Sequence, residues 1–173
     1  MSKAVVATIR ESLTKSGSDA TCRHWGKYIL ENKIPISELT ELIHAEYPVA
    51  IRFSWILGGV SEMAPQHVFL AITYFFNARA QIDIQNFNRS LAKMFALAGI
   101  PEEIESEAID ELFKWLSDKK SNVSTKSFAM LALQRVVVKY PEFKNEFEVA
   151  IEEQLYRNSN SFKKRATKIL ESL

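Results

Sequence analysis

Four basic residues, Arg52, Arg89, Lys126 and Lys163, recur at intervals of 37 residues, and this regularity constrains the fold more than any other feature of the chain. Three residues beyond each cation lie Trp55, Ala92, Ala129 and Ala166; seven beyond lie Gly59, Ala96, Leu133 and Leu170. Offsets of three and seven share one face of an α-helix, and small residues there let a neighbouring helix approach closely. A fixed period of this length marks a repeat array, in which each unit buries its apolar face against the next. A helix of about 14 residues in each unit leaves room for one partner helix and two short turns.

The partner helices are legible from i, i+3, i+4, i+7 apolar spacing. One runs from Ile36 or Ser37 to Glu46, with Leu39, Leu42 and Ile43. Others open at Pro65 and run to Arg79, at Pro101 and run to Leu116, and at Pro141 and run to Tyr156. Proline suits a first helical turn, where its missing N–H is not needed. The second helices are expected over residues 48–63, 86–99, 123–140 and 160–172. Residues 3–14 and 18–32, flanking Ser16-Gly17-Ser18, form one more pair with Ser18 or Asp19 as N-cap. Arg23 precedes Arg52 by only 29 residues, so residues 1–34 read as an atypical N-terminal cap hairpin ahead of repeats at 36–63, 65–99, 101–140 and 141–173. The expectation is a single all-α domain over 1–173, a right-handed α–α superhelix of about five helical hairpins.

Composition agrees with this. Five glycines and five prolines among 173 residues are too few for a many-turned sandwich or barrel. One cysteine excludes an internal disulfide framework and a cysteine-based zinc cluster. No apolar stretch approaches membrane-spanning length, and Met1-Ser2-Lys3-Ala4 leads into an amphipathic segment rather than a signal sequence, so a soluble cytoplasmic protein is expected. The formal net charge is +1, far from the strongly basic balance of a dedicated nucleic-acid binder. Charge is nonetheless segregated: residues 61–118 hold 4 basic and 9 acidic groups, residues 119–173 hold 11 and 6. The acids Glu102, Glu103, Glu105, Glu107, Asp110 and Glu111 fall at a helix start, where the macrodipole favours them; an acidic surface for a basic partner is the alternative.

Residues 108–138, AIDELFKWLSDKKSNVSTKSFAMLALQRVVV, join an apolar helix, an Asp-containing turn and a basic–small–apolar helix. This segment resembles the HEAT repeat, a member of the armadillo-like superhelical families. Residues 149–170 resemble it again, and 39–60 more loosely. At chain scale, AIRFSWILGGV, DELFKWLSDKKSNVSTKSFAMLAL and SFKKRATKIL look like a group of short bacterial HEAT-like proteins, some labelled adenylosuccinate lyase. That label is not supported, because the Ser-containing signature loop of such lyases has no counterpart here. The resemblance implies a fold and no established activity. Trp55 departs from the pattern by standing where the other units have alanine, so the first inter-unit boundary is expected to be wider.

The candidate binding residues are the basic ladder and its neighbours: Arg52, Arg89, Lys93, Lys126, Met130, Lys163, Lys164 and Arg165. Cations in early helical turns are disfavoured by the dipole and call for compensation. One reading is an ion-pair ladder using Glu46, Asp83 and Asp118; the other is anion binding along a concave face. Steps of four along each second helix propose a ridge of Arg52, Ile56, Val60; Arg89, Lys93, Leu97; Lys126, Met130, Gln134; and Lys163, Thr167, Glu171. Such a mixed ridge suits groove binding of a peptide or helix.

No catalytic constellation emerges. Cys22 and His24 are two apart and diverge on a helix, and His24, His44 and His67 lack ligand spacing. No metal and no cofactor are expected. Gly58-Gly59 calls for a bulky neighbour on a crossing helix. Of the triplet Tyr74-Phe75-Phe76, Tyr74 is expected at the surface, since three consecutive residues cannot share one stripe. The function expected is a non-enzymatic binding or scaffold module, acting on a protein or peptide through a concave groove. The alternative is a DNA-binding protein related to the HEAT-like DNA alkylation-repair glycosylases.

Overall fold

The structure is a computed structural model that describes residues 2–82, 84 and 87–173; the side chain of Ser2 lies outside the described set, and so does Asp83. Among the described residues there is no strand. The helices are α1 (Ser2–Lys15), α2 (Asp19–Glu31), α3 (Tyr47–Met63), α4 (Pro65–Ala78), α5 (Phe87–Ala98), α6 (Glu105–Ser117), α7 (Val123–Lys139), α8 (Lys144–Leu155) and α9 (Asn160–Leu170), with a 3-10 segment at Ile36–His44.

Local chemistry sets the helix ends. Ser18 Oγ accepts from the Thr21 N–H at 3.1 Å, Asn122 Oδ1 from the Thr125 N–H at 2.8 Å, and Ser159 Oγ from the Phe162 N–H at 3.4 Å, each satisfying a donor that a helix start leaves free. Helix α2 ends in a Schellman turn: Ile34 N–H donates to Ile29 C=O at 2.9 Å and Lys33 N–H to Leu30 C=O at 3.1 Å, with Lys33 left-handed at φ 51°. Gly99, at φ 100°, takes the same left-handed position after α5.

Two of the expected helix starts differ in detail. The residues after Pro101 and from Pro141 form single 3-10 turns, and the α-helices begin at Glu105 and Lys144. Such tightened turns are common at α-helix ends. The segment Ile36–His44, expected to be an α-helix, is 3-10 throughout. Its buried residues are Ile36, Leu39, Leu42 and Ile43; the first three recur every third position, as the three-residue turn of a 3-10 helix allows, and Ile43 adds a neighbour to the same stripe.

The helices form two rows. The second members of the hairpins pack in succession, α2 on α3, α3 on α5, α5 on α7 and α7 on α9. The first members lie behind them, with α1 and α4 each against the Ile36–His44 segment and α6 against α8. Between the rows runs one continuous apolar core that includes Phe53, Phe75, Phe76, Phe95, Phe147 and Phe162, all essentially free of solvent contact. Rings meet mostly edge to face, as between Phe76 and Phe95 with centroids 5.7 Å apart. Tyr74 is 43% exposed and its hydroxyl meets His44 Nε2 at 2.9 Å, while Phe75 and Phe76 are buried.

Polar contacts tie neighbouring hairpins. The acids at the start of α6 work here: Glu103 accepts from Thr73 Oγ1, and Glu107 from Arg79 Nη2. Burial pushes the Glu105 carboxyl up, but hydrogen bonds from Lys139 and from the Tyr140 hydroxyl, with the Lys139 charge, outweigh it and hold the group below its ordinary value. Two arginines cap helix C-termini from a distance. Arg52 donates to the carbonyls of Leu13 and Thr14 at the end of α1, and Arg135 to those of Ala96 and Leu97 at the end of α5. A guanidinium satisfies carbonyls that lack intrahelical partners and complements the negative end of the dipole.

Candidate binding cleft

A cleft of about 530 Å³ opens across the outer face of the second-helix row, over α2, α3 and α5. Its floor is one side of α3: Ser54, Trp55, Gly58, Gly59, Glu62 and Met63. These positions advance by alternating steps of one and three, so they form a single helical face. Gly17, Asp19, Cys22 and Arg23 make one wall, Arg89 and Lys93 the other.

The glycine pair has two roles. A Cβ at Gly58 would stand 3.4 Å from Lys93 Nζ, so the missing side chain gives the lysine stem a place against α3. A Cβ at Gly59 would meet nothing within 4 Å. A bulky neighbour on a packed helix, as expected from the sequence, thus faces Gly58 in the form of Lys93, whereas Gly59 faces open space. Glycine inside a helix costs about 1 kcal/mol relative to alanine, and at Gly59 packing gives no return for it.

The charges in the cleft are partly neutralised. Lys93, nearly buried, reaches Glu62 Oε1 at 2.7 Å, while Glu62 itself is exposed. Arg23 pairs with Asp19 one turn earlier. Arg89 is half-buried and has no ion pair among the described residues; its guanidinium carbon lies 5.8 Å from the Phe128 ring centroid. Lys93 Nζ lies at the same distance from that ring, so both cations stand near Phe128 of α7. Trp55 presents 45% of its surface at the floor, and Met63 44%.

Nucleophilic chemistry has little support in the cleft. Burial pushes the Cys22 thiol up despite the opposing charge of Arg52, which keeps it protonated near neutral pH, and its Sγ lies 3.9 Å from the Arg52 carbonyl. His24 is exposed and does not line the cleft. Among the described residues, no three His, Cys, Asp or Glu side chains are grouped to hold a metal ion, and no helix is long and apolar enough to cross a membrane.

The ladder residues lie in the first turn of α5, α7 and α9 and, for Arg52, in the second turn of α3, but not in one common environment. Arg89 and Lys93 line the cleft. Arg52 bonds backbone carbonyls of α1 rather than Glu46, and Gly17 leaves room for its stem. Lys126 is buried and donates to Gln154 Oε1 at 2.6 Å; Asp118 acts on it only as a nearby charge. The expected ion pairs are thus replaced by backbone carbonyls at Arg52 and by an amide at Lys126; the pair expected for Arg89 falls on Asp83, which lies outside the described residues. Met130, Ile56 and Val60 are buried, so the ridge drawn by steps of four runs into the core. Each such step turns 40° around the helix, enough to leave the exposed face within two steps. Lys163 is half-buried, Lys164 and Arg165 are exposed, and all three lie on α9, away from the cleft.

Sequence reasoning missed Asp19, Arg23, Glu62 and Met63. The available signal was the combination at α3, where a bulky ring replaces a small seam residue four positions before a helix-interior glycine. Comparison with protein-family models, with curated proteins and with solved structures returned no match.

Proposed function

We propose that the chain is a non-enzymatic binding module built as a right-handed α–α superhelix of HEAT-like hairpins, and that it holds a protein or peptide partner on the face of its second helices. One observation carries the reading: the floor of the cleft is an α3 face whose helix-interior Gly59 keeps space open that no part of the fold uses. Packing of second helices in succession supports the superhelical arrangement, because repeats that touch only their neighbours build an extended surface. Charges of both signs beside an exposed indole suit a peptide that carries acidic and apolar groups together.

The test is a peptide array probed with the folded protein and with Gly59→Leu. Sequences retained by the first and lost by the second support the reading; an array that retains nothing, or the same set with both, counts against it. A second reading, DNA binding, draws on Arg89, Lys93 and exposed Trp55, since aromatic and basic groups together hold bases and phosphates. Asp19 and Glu62 oppose it by already pairing with Arg23 and Lys93, which leaves few cations in the cleft for a run of phosphates. A gel shift with duplex DNA at ~50 mM salt that weakens as salt rises would favour this second reading over the first.

A further inference from the structure

Resting on the second-helix row as the binding face, we infer that the cleft over α2, α3 and α5 is a seat for a carboxylate attached to a flat or apolar body, such as an acidic side chain beside an aromatic one in a peptide. Three features converge on this ligand chemistry. Its size, about 530 Å³, falls within the range of small-ligand sites, roughly 300–1,000 Å³, and accommodates a few side chains rather than a folded surface. The open volume above Gly59 adjoins the exposed faces of Trp55 and Met63, which offer a ring and a thioether to an apolar group.

The anion position follows from the cations. Arg89 lines the cleft and presents a planar fork suited to two carboxylate oxygens, with the Phe128 ring 5.8 Å from its guanidinium carbon. Lys93 already holds one carboxylate in the cleft, that of Glu62. Glu62 is on a floor residue and exposed, so it occupies from within the chain the kind of place a ligand carboxylate would take from outside. Release of that contact by an incoming carboxylate exchanges one ion pair for another and lets Glu62 remain in water.

The experiment uses 3-phenylpropionate as probe, with 3-phenylpropanol and phenyl phosphate as comparisons, and follows backbone amides and the indole N–H groups by NMR. The expected result is that 3-phenylpropionate shifts the Trp55 indole together with amides of Gly58, Gly59 and Lys93. The alcohol binds at least tenfold more weakly. Arg89→Gln weakens the carboxylate at least tenfold and leaves the alcohol unchanged. Glu62→Gln strengthens the carboxylate several-fold by removing the internal competitor, an effect that a merely structural role for Glu62 would not produce. Far-UV circular dichroism and Tm confirm that each variant is folded, and Gly59→Leu, which fills the space, abolishes all shifts.

The inference is overturned by shifts that map elsewhere, by an alcohol that binds as well as the acid, or by insensitivity to Arg89→Gln and Glu62→Gln. Tighter binding of phenyl phosphate than of the carboxylate also overturns it and directs attention to phosphate-bearing partners. Its failure is separable from that of the proposed function. Carboxylate binding at the cleft with an array that retains no peptide leaves a small-acid site without a peptide-binding role. Retained peptides with no fragment binding place the peptide contact outside the cleft.

Discussion

The boundary between α5 and α7 is closed, and the boundary between α3 and α5 is open. On α5 and α7, Ala92 and Ala129 stand at the same offset from Arg89 and Lys126, and neither meets solvent. On α3 that offset is Trp55, which lies 45% exposed at the floor of the cleft. Helix α5 packs more extensively on α7 than on α3. The same offset from a helical cation therefore has opposite environments on α3 and on α5, and side-chain volume accounts for it. A methyl group fits between helices at close approach; an indole does not, and it turns outward. The two glycines that follow Trp55 then leave a depression that an alanine or leucine would have reduced. The depression lies where α3 departs from the small residue that α5 and α7 carry at the same offset.

Breaking the closed boundary should have the largest effect. Ala129→Trp puts into it the residue that the open boundary tolerates, and overpacking should cost about 1–3 kcal/mol or more in a denaturant melt. A neutral result would mean that the small residues do not define the boundary. Gly59→Ala should do the reverse on the open side. With nothing within 4 Å of the added methyl, the helix should gain about 1 kcal/mol, visible as a higher denaturation midpoint, while the cleft becomes shallower. Destabilisation would show that the space is needed by the fold itself.

Lys126 sharpens the contrast from within the ladder, because it is the buried counterpart of cleft-lining Arg89. Burial pushes its ammonium pKa down; Asp118 opposes this and Arg157 adds to it. A base whose folded pKa lies below its unfolded value is deprotonated first in the folded chain. The unfolded chain then binds more protons, and stability rises with pH from the depressed value up to the ordinary one of about 10.4. Lys126→Met should remove that rise from the alkaline side of the stability–pH curve; an unchanged slope would show that Lys126 titrates normally. The smallest effect on stability, on the order of 0.5 kcal/mol, is expected from Trp55→Phe, a ring-for-ring change at a half-exposed position. Its signature is optical. Trp25 and Trp115 are buried, so the component of tryptophan fluorescence quenched by acrylamide should fall sharply when Trp55 is replaced.

The helices themselves were legible because their signals are local. Apolar spacing locates α1 to α9 to within a few residues and Ser18 takes its capping role, whereas Ile36–His44 and the short turns at Glu102–Ile104 and Pro141–Phe143 are 3-10 rather than α. The site was legible in part. Arg89 and Lys93 were among the candidates and line the cleft, whereas Met130 and Lys126 shared the same offsets and are buried. Spacing reports which residues share a face of one helix, but not whether another helix covers that face.

The sequence by itself determined the helical class, the pairing of helices and the recurrence of a cation and a small residue in each unit, since these follow from periodicity and proline placement within a few turns of chain. Tertiary structure alone decided which cation caps a helix, which is buried against an amide and which faces the cleft. That choice depends on how closely two helices approach, and the approach is set by the combined volume of side chains tens of residues apart.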